Sequence, residues 1–427
     1  MNRKILTGVL CLVAALALLP ALAWSADKIV MRMGDNLPNR TAAWGAVVEQ
    51  INAEFIKLHP NVSFEVESYL DQPWQEKVKL YATSGQLPDV MKYWSFGTLL
   101  KPLVDSKLVA ELPLADFKAM KFVPGSLEVN MYNGKLYGVP TNADFWVIYY
   151  NKRLFKDAGV QVPGTIEDLV ASIPKFRAKG IAPMTTDGKD AWPLNIFFDN
   201  LTQRYSGTFS IIQGSLDRKN RFTDPAFVQA AKLLQDMTKA GLFIDDLLTS
   251  DYGAGKNYFG QEKAAMYLMG SWEMGIPTDQ SFPQSFRDNV GVFKIPTIKG
   301  GKGAAADQMA WFGGNYVLNA KSKYKELGLE YLKFYFKRHP VLGWEKQAVF
   351  PAQMVTTTEK DTPLAKALVA IIGGAKTTSG TPSIDRSTPA FKEDAQKLVK
   401  DLVAGVLTPE AFCKAIDDSA ATAASGQ

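Results

Sequence analysis

Three features of the sequence predict an α/β fold with a mainly parallel sheet covered on both faces. Strand and helix patterns alternate from residue 29 to residue 91, which is the order of a parallel sheet with crossover helices. A second alternating series begins near residue 145. A short apolar run, Tyr267-Leu268-Met269, then stops at Gly270 and presents Ser271-Trp272-Glu273. Open α/β sheets place their ligands just beyond the carboxyl ends of their strands. A tryptophan there offers a flat apolar face with one donor at its edge, a surface suited to a pyranose ring.

Each element has a local cause. Ile29-Val30-Met31 opens as a strand. A helix follows, with Trp44, Val47, Val48, Ile51 and Phe55 at a 3.6-residue period, and it ends at Pro60. Val62, Phe64 and Val66 alternate with polar residues, as in a half-buried strand. Trp74, Val78, Tyr81 and Ala82 form the next helical stripe, stopped by Gly85. On this pattern Trp44 and Trp74 belong to the core. Pro88-Asp89-Val90-Met91 begins a further strand, in which Asp89 caps or turns an edge and Val90, Lys92 and Trp94 share one face.

In the second series, Phe145 to Tyr150 is β-prone and Asn151 to Gly159 reads as a short helix. Thr165-Ile166-Glu167-Asp168 resembles a helix start, and Pro174 is expected to kink or end that helix. Asp224-Pro225 begins a helix closed by Gly241. Gly291 to Pro296 is a strand, followed by a flexible loop at 299–304. Helices are expected at about 322–337, 390–403 and 409–417, and Asp418 to Gln427 reads as a frayed tail.

Residues 1–23 read as a secretory signal. Arg3 and Lys4 supply the charged start, Ile5 to Leu19 the apolar run and Ala21-Leu22-Ala23 the cleavage site, with cleavage after Ala26 as a second reading. The apolar run is short for a membrane span, and lipid attachment at Cys11 is disfavoured by its place within that run. The expected product is an exported soluble chain, long enough for two or three domains. Loss of Arg3 and Lys4 lowers the formal charge from +5 to +3. That charge is spread along the chain and gives no footprint for nucleic acid.

Few catalytic sets are available. After cleavage only Cys413 remains, and the two histidines, His59 and His339, each precede a proline at a helix end, read as surface positions. A zinc site or a Ser-His-Asp triad is hard to build from these. Gly373-Gly374-Ala375-Lys376-Thr377 lacks the glycine before lysine that a phosphate-cradling loop needs. No cofactor is expected. Asn61-Val62-Ser63 and Asn200-Leu201-Thr202 match the glycosylation pattern by chance. Carboxylates are plentiful, so a glycosidase pair stays open.

With these segments placed, the chain resembles the family 1 extracellular solute-binding proteins of ABC transporters, the maltose-binding-protein-like group. Six stretches carry the resemblance in order over about 300 residues: Phe55…His59-Pro60-Asn61-Val62; Ala82-Thr83-Ser84-Gly85-Gln86-Leu87-Pro88-Asp89-Val90; Gly134-Lys135-Leu136-Tyr137-Gly138-Val139-Pro140; Tyr150-Asn151-Lys152…Phe155…Gly159; Gly260…Ala264-Ala265-Met266…Gly270-Ser271-Trp272; and Phe350-Pro351-Ala352. The resemblance implies a two-lobed periplasmic-binding-protein fold of type II, with hinged lobes around a ligand cleft. It places residues 27–141 plus 314–372 in the first lobe and 144–312 plus 375–427 in the second. Hinges then fall near 141–144 and 312–315, where Gly313 and Gly314 suit a change of dihedrals.

The resemblance also implies site residues at the inner ends of both lobes. From the first lobe these are Asp35, Asn36 and Arg40, then Asp71 and Gln72, then Tyr93 and Trp94. Asn142 and Asp144 stand at the hinge, Asp144 in the place of a sugar-binding carboxylate. From the second lobe come Lys189, Asp190 and Trp192, then Gly270, Ser271, Trp272 and Glu273, then Trp311, with Asp385 and Arg386 in a late loop. Lys92, Lys189, Arg40 and Arg386 raise an anionic ligand as a minor reading. The implied function is capture of a sugar, oligosaccharide or glycoside outside the inner membrane, as a periplasmic monomer that delivers it to the permease subunits. A carrier of a polyol, sugar phosphate or other polar solute, and an exported glycoside hydrolase, are the alternatives.

Overall fold

The computed structural model describes residues 27–425, so the secretory-signal reading of residues 1–23 lies outside the described residues. Strand β1 (Ile29–Asp35) leads to helix α1 (Ala43–Leu58), β2 (Val62–Ser68), helix α2 (Asp71–Ser84) and β3 (Val90–Trp94). β1 pairs in parallel with both β2 and β3. Gly85 closes α2 with φ 71°, a left-handed backbone that costs glycine little. The buried stripe of α1 packs in one core with Met31 and Met33, and Trp74 and Val78 of α2 pack in the other. The two helices therefore cover opposite faces of this sheet, as right-handed crossovers in opposite directions require.

The chain crosses to the second lobe after β4 (Val139–Pro140), through β5 (Asp144–Asn151). Then come α3 (Lys152–Ala158), α4 (Ile166–Arg177), β6 (Ala182–Thr185), α5 (Trp192–Ser206), α6 (Pro225–Lys239) and α7 (Tyr252–Gly260). β7 (Ala264–Gly270) and a 3-10 turn at Ser271–Thr278 follow, then β8 (Val290–Lys294) and β9 (Ala310–Trp311). The return strand β10 (Gly314–Leu318) adds antiparallel to β3 and β4, so the first sheet runs β2-β1-β3-β10-β4. The second sheet runs β8-β5-β7-β6, with β9 also paired to β5. Here the expected parallel sheet gives way: β5 is antiparallel to β7, β8 and β9, and only β6 and β7 run parallel. The alternation of strand and helix is real, but long connections let successive strands enter in either direction.

Most helix starts follow from their sequence. Thr165 and Asp168 form the reciprocal capping box at α4. Pro174 lies inside that helix, which runs on to Arg177. Arg204, 1 % exposed, donates to the carbonyls of Ile295, Pro296 and Ala304, and Gly303 N donates back to Arg204 O. The 299–304 loop is therefore pinned rather than free. Asn200 is buried within α5, which removes it as a glycosylation acceptor.

Helix α8 (Lys325–Glu345) packs on α1 and continues through Pro340, beyond the expected end at 337. His339 is consequently a fully buried residue among aromatic rings and not a surface one. Helix α9 (Pro363–Gly373) packs on β8 and on the 271–278 turn of the second lobe. α10 (Pro389–Val403) and α11 (Pro409–Ser425) finish the chain. α11 reaches Ser425 because Ala420 and Ala423 continue its buried stripe, so the expected frayed tail is helix over the described residues.

Candidate functional site

Between the lobes lies a cavity of ≈ 320 Å³, walled by the carboxyl ends of β1, β2 and β3 on one side and of β7 on the other. Its second-lobe wall is aromatic. Trp192 and Trp272 have ring centroids 5.9 Å apart, Trp272 and Trp311 6.0 Å, and Trp192 lies nearly parallel to Tyr252 at 6.4 Å. Buried Trp146 backs both Trp192 and Trp272 at 5.9 Å.

Local backbone aims these rings. A Cβ on Gly270 would stand 2.0 Å from Trp272 Cζ3, so the glycine lets the indole fold back along the strand end. Trp192 and the first-lobe Trp44 each follow an alanine in the left-handed region, Ala191 at φ 60° and Ala43 at φ 45°. Backbone of this kind costs on the order of 1–3 kcal/mol and persists where the surroundings over-determine it. In both places it starts a helix directly at a wall tryptophan.

The first-lobe wall is polar. Asn36 Nδ2 donates to Asp71 Oδ1 at 2.5 Å, and Lys92 Nζ donates to Asn36 Oδ1 at 2.8 Å. The Lys92 ammonium stands 4.4 Å from the ring centre of Trp44 and 5.7 Å from that of Trp94, within cation–π range. At the hinge, Asp144 accepts from Gly313 N at 3.1 Å and from Asn142 Nδ2. Burial pushes the Asp144 carboxyl up to about 7, opposed by the charge of Lys92. Burial likewise raises Asp71, and it lowers Lys92 against the pull of Asp71 and Asp144.

Several sequence-predicted residues meet on this wall: Asn36, Asp71, Trp94, Asn142, Asp144, Trp192, Trp272, Glu273, Trp311 and Asp385. Others lie off it, each for a visible reason. Asp35 is fully buried and binds Arg40 Nη1 at 2.5 Å, while Arg40 Nη2 reaches Glu49 at 2.6 Å, so both shape the 35–42 loop from behind. Gln72 turns along α2 toward Glu76. Tyr93 alternates with Lys92 and Trp94 on β3 and is buried on the reverse face. Lys189 is largely exposed, 4.0 Å from Asp251, and Asp190 donates its N–H to Asp187. Gly270 acts through Trp272 as described. Ser271 donates to Ala143 O and accepts from Phe145 N, tying β7 to the hinge. Arg386 spends its guanidinium on Thr381 O, Ser379 O and Gln213.

The wall also holds residues that sequence reasoning missed. Trp44 is a buried core residue, as its helical period predicts, and nothing in the sequence signals that the same ring also lines the cleft, which the first turn of α1 overhangs. Lys92 enters the sequence reading as a strand neighbour of Trp94 and as one of four cations behind the minor anionic reading, and it is the one of those four on the wall. Tyr252 and Lys256, four apart on α7, share a face that points at the cavity. Gln75 and Lys392 carried no sequence signal.

Trp192 Nε1 and Trp311 Nε1, on two of the wall rings, are buried without a hydrogen-bond partner among the described residues. Each lining ammonium is already matched: Lys256 with Glu273 at 3.0 Å, Lys392 with Asp385 at 2.8 Å, and Lys92 with the Asn36–Asp71 pair. Among the described residues no cluster fit to hold a metal ion is present.

Comparison with known proteins agrees with this geometry. The sequence profile of the family described as bacterial extracellular solute-binding protein matches residues 34–338. A multiple sugar-binding protein of Streptococcus mutans serotype c is 26 % identical over 304 residues, covering 68 % of this chain and 67 % of that one. A maltooligosaccharide ABC transporter solute-binding lipoprotein of Streptococcus pneumoniae serotype 4 is 27 % identical, over 77 % of this chain and 75 % of its own. A solved structure from work on xylan utilization by the thermophilic bacterium Caldanaerobius polysaccharolyticus superposes with TM-score 0.83. It is 28 % identical and covers 91 % of this chain and 99 % of that one. The matched family and both streptococcal relatives are described as binding proteins, which sets aside the glycoside-hydrolase alternative. The two-lobed chain with its interlobe cleft belongs to the bacterial extracellular solute-binding protein family.

Proposed function

We propose that this protein captures a neutral sugar, oligosaccharide or glycoside in the interlobe cleft and delivers it to the membrane subunits of an ABC importer. The observation that carries the reading is the pairing of walls: a cluster of indoles on the second lobe faces an amide and carboxylate cluster on the first. Rings cover the C–H faces of a pyranose, and the polar cluster replaces hydrogen bonds lost from water. Neutrality follows from the cations. All three lining lysines are matched to acceptors, Lys256 to Glu273, Lys392 to Asp385 and Lys92 to Asn36, so none of the three is left to pair a phosphate or uronate. The anionic reading also loses Lys189, Arg40 and Arg386, which lie off the wall.

In this reading residues 27–141 with 314 to about 355 form the first lobe, and residues 144–312 with 363–425 the second. The solute touches both lobes only when they close, and that difference in contacts shifts the equilibrium toward closure. The sites of Asp144, Trp192, Trp272 and Trp311 are proposed as the principal contacts. The chain is further proposed to act as a monomer, exported to the periplasm with residues 1–23 removed, and without nucleic acid. Among the described residues no helix is long and apolar enough to cross a membrane.

Thermal-shift screening against neutral oligosaccharides, polyols, glycerol 3-phosphate and uronates tests the assignment. Stabilisation by neutral oligosaccharides alone is expected. Stabilisation by a phosphate or a uronate alone would overturn it.

A further inference from the structure

Lys392 stands on α10 in the second lobe, with its side chain 9 % exposed and Nζ 2.8 Å from Asp385 Oδ1. The same ammonium reaches the other lobe. It donates to Gln75 Oε1 on α2 at 3.4 Å and lies 5.8 Å from the ring centre of Phe96. Gln75 is itself buried, and this is the one side-chain hydrogen bond it makes among the described residues. One turn outward on α2, Lys79 faces Glu393 at 3.5 Å, with both side chains mostly in water.

The lobes also touch on the opposite face of the first sheet, beside α1. There a Cβ on Gly275 would stand 2.7 Å from the Ala43 Cβ. That flank is a contact of small residues. The α2–α10 flank is made through a buried charge with three donors, one spent within its own lobe and one lent across the seam. Separating the lobes would return Gln75 and the lysine head to water, while the Lys392–Asp385 pair would remain.

We propose that Lys392 is a positioning residue for solute capture, linking Asp385 to Gln75 so that the lobes populate the closed form before a ligand arrives. The proposal rests on the reading of the cleft as the solute site. A ligand that binds the closed form has its apparent affinity reduced by the fraction of molecules that are closed. If loss of the link lowers that fraction from about a half to about a tenth, affinity falls about fivefold.

Small-angle scattering and acrylamide quenching of tryptophan fluorescence on the ligand-free full mature chain test this without any solute, so the outcome is independent of the sugar assignment. Gln75→Ala leaves the Lys392–Asp385 pair intact and is expected to raise both the radius of gyration and the quenching. Lys392→Met should do the same, and Lys392→Arg should restore the wild-type profile. Lys79→Ala, which removes an exposed pair of little energetic weight, should change neither. Identical scattering and quenching for wild type and Gln75→Ala would overturn the proposal, as would an equal expansion in Lys79→Ala.

Discussion

Trp272 Nε1 donates to the Tyr252 hydroxyl at 3.1 Å, and that hydroxyl in turn donates to Glu273. The polar edge of the indole is thereby occupied, and its face is what remains for a ligand. Tyr252→Phe keeps the ring stacked on Trp192 but strands the indole N–H and removes a donor from Glu273. An unmet buried donor costs about 1–3 kcal/mol. Binding of the best neutral oligosaccharide should weaken by roughly fivefold to 140-fold by calorimetry. An unchanged dissociation constant would show that the orientation of Trp272 does not matter.

Gly270 supplies a second way to move the same ring without touching its chemistry. A methyl at this position would overlap Trp272 Cζ3, Cη2 and Cε3, all within 2.4 Å. The strand end is fully buried and paired to β5, so the indole must yield before the backbone does. Gly270→Ala is expected to abolish oligosaccharide binding and shift tryptophan emission, while far-ultraviolet circular dichroism is retained. Wild-type affinity in the folded variant would contradict the placement of Trp272.

The element order over 29–94 and the cavity-lining residues that follow a strand end are legible in the sequence, because periodicity and chain order are local properties. What it hid has a common physical cause. Tyr93 and Trp94 were taken together, although strand alternation turns only Trp94, with Lys92, to the cleft. Trp44 obeys the core period of α1 and still lines the cavity, because a helix stripe says nothing about where the neighbouring lobe ends. Gln75 and Lys392 become partners only across a seam 317 residues apart. The misplaced surface histidine has a similar origin: Pro340 was read as a stop, but α8 absorbs it and carries His339 inward.

The hinge carboxylate makes stability depend on pH. Burial raises Asp144 from 3.8 to about 7 in the folded chain. Between those values the folded protein holds a proton that the unfolded chain has lost, so this contribution to stability falls as pH rises toward 7. Asp144→Asn removes the titration but keeps the shape. Its melting temperature should gain on the wild type between pH 5 and pH 7 and the gap should level off above that. Parallel curves for the two proteins over that interval would place the Asp144 carboxyl at its ordinary value.

His339 titrates in the opposite sense. Its imidazole stacks on Tyr335 at 5.0 Å and stands 5.8 Å from Trp44, and neither ring nitrogen has a hydrogen-bond partner. Burial, followed by the nearby charge of Lys92, pushes its pKa down from 6.5 to about 3. Below pH 6.5 the unfolded chain takes up a proton that the folded one refuses, so stability is lost as pH falls. By pH 5 the loss is on the order of 2 kcal/mol, at about 1.4 kcal/mol per pH unit. His339→Phe occupies the same aromatic niche without an ionisable nitrogen and gives up no hydrogen bond. It should match the wild type near pH 7 and melt several degrees higher at pH 5, with the gap closing as pH rises. Because Trp44 rests against this ring, sugar affinity at pH 7 should change by less than about threefold, as expected when shape is conserved. A constant gap in melting temperature from pH 7 to pH 5 would mean that the imidazole already reaches water in the folded state.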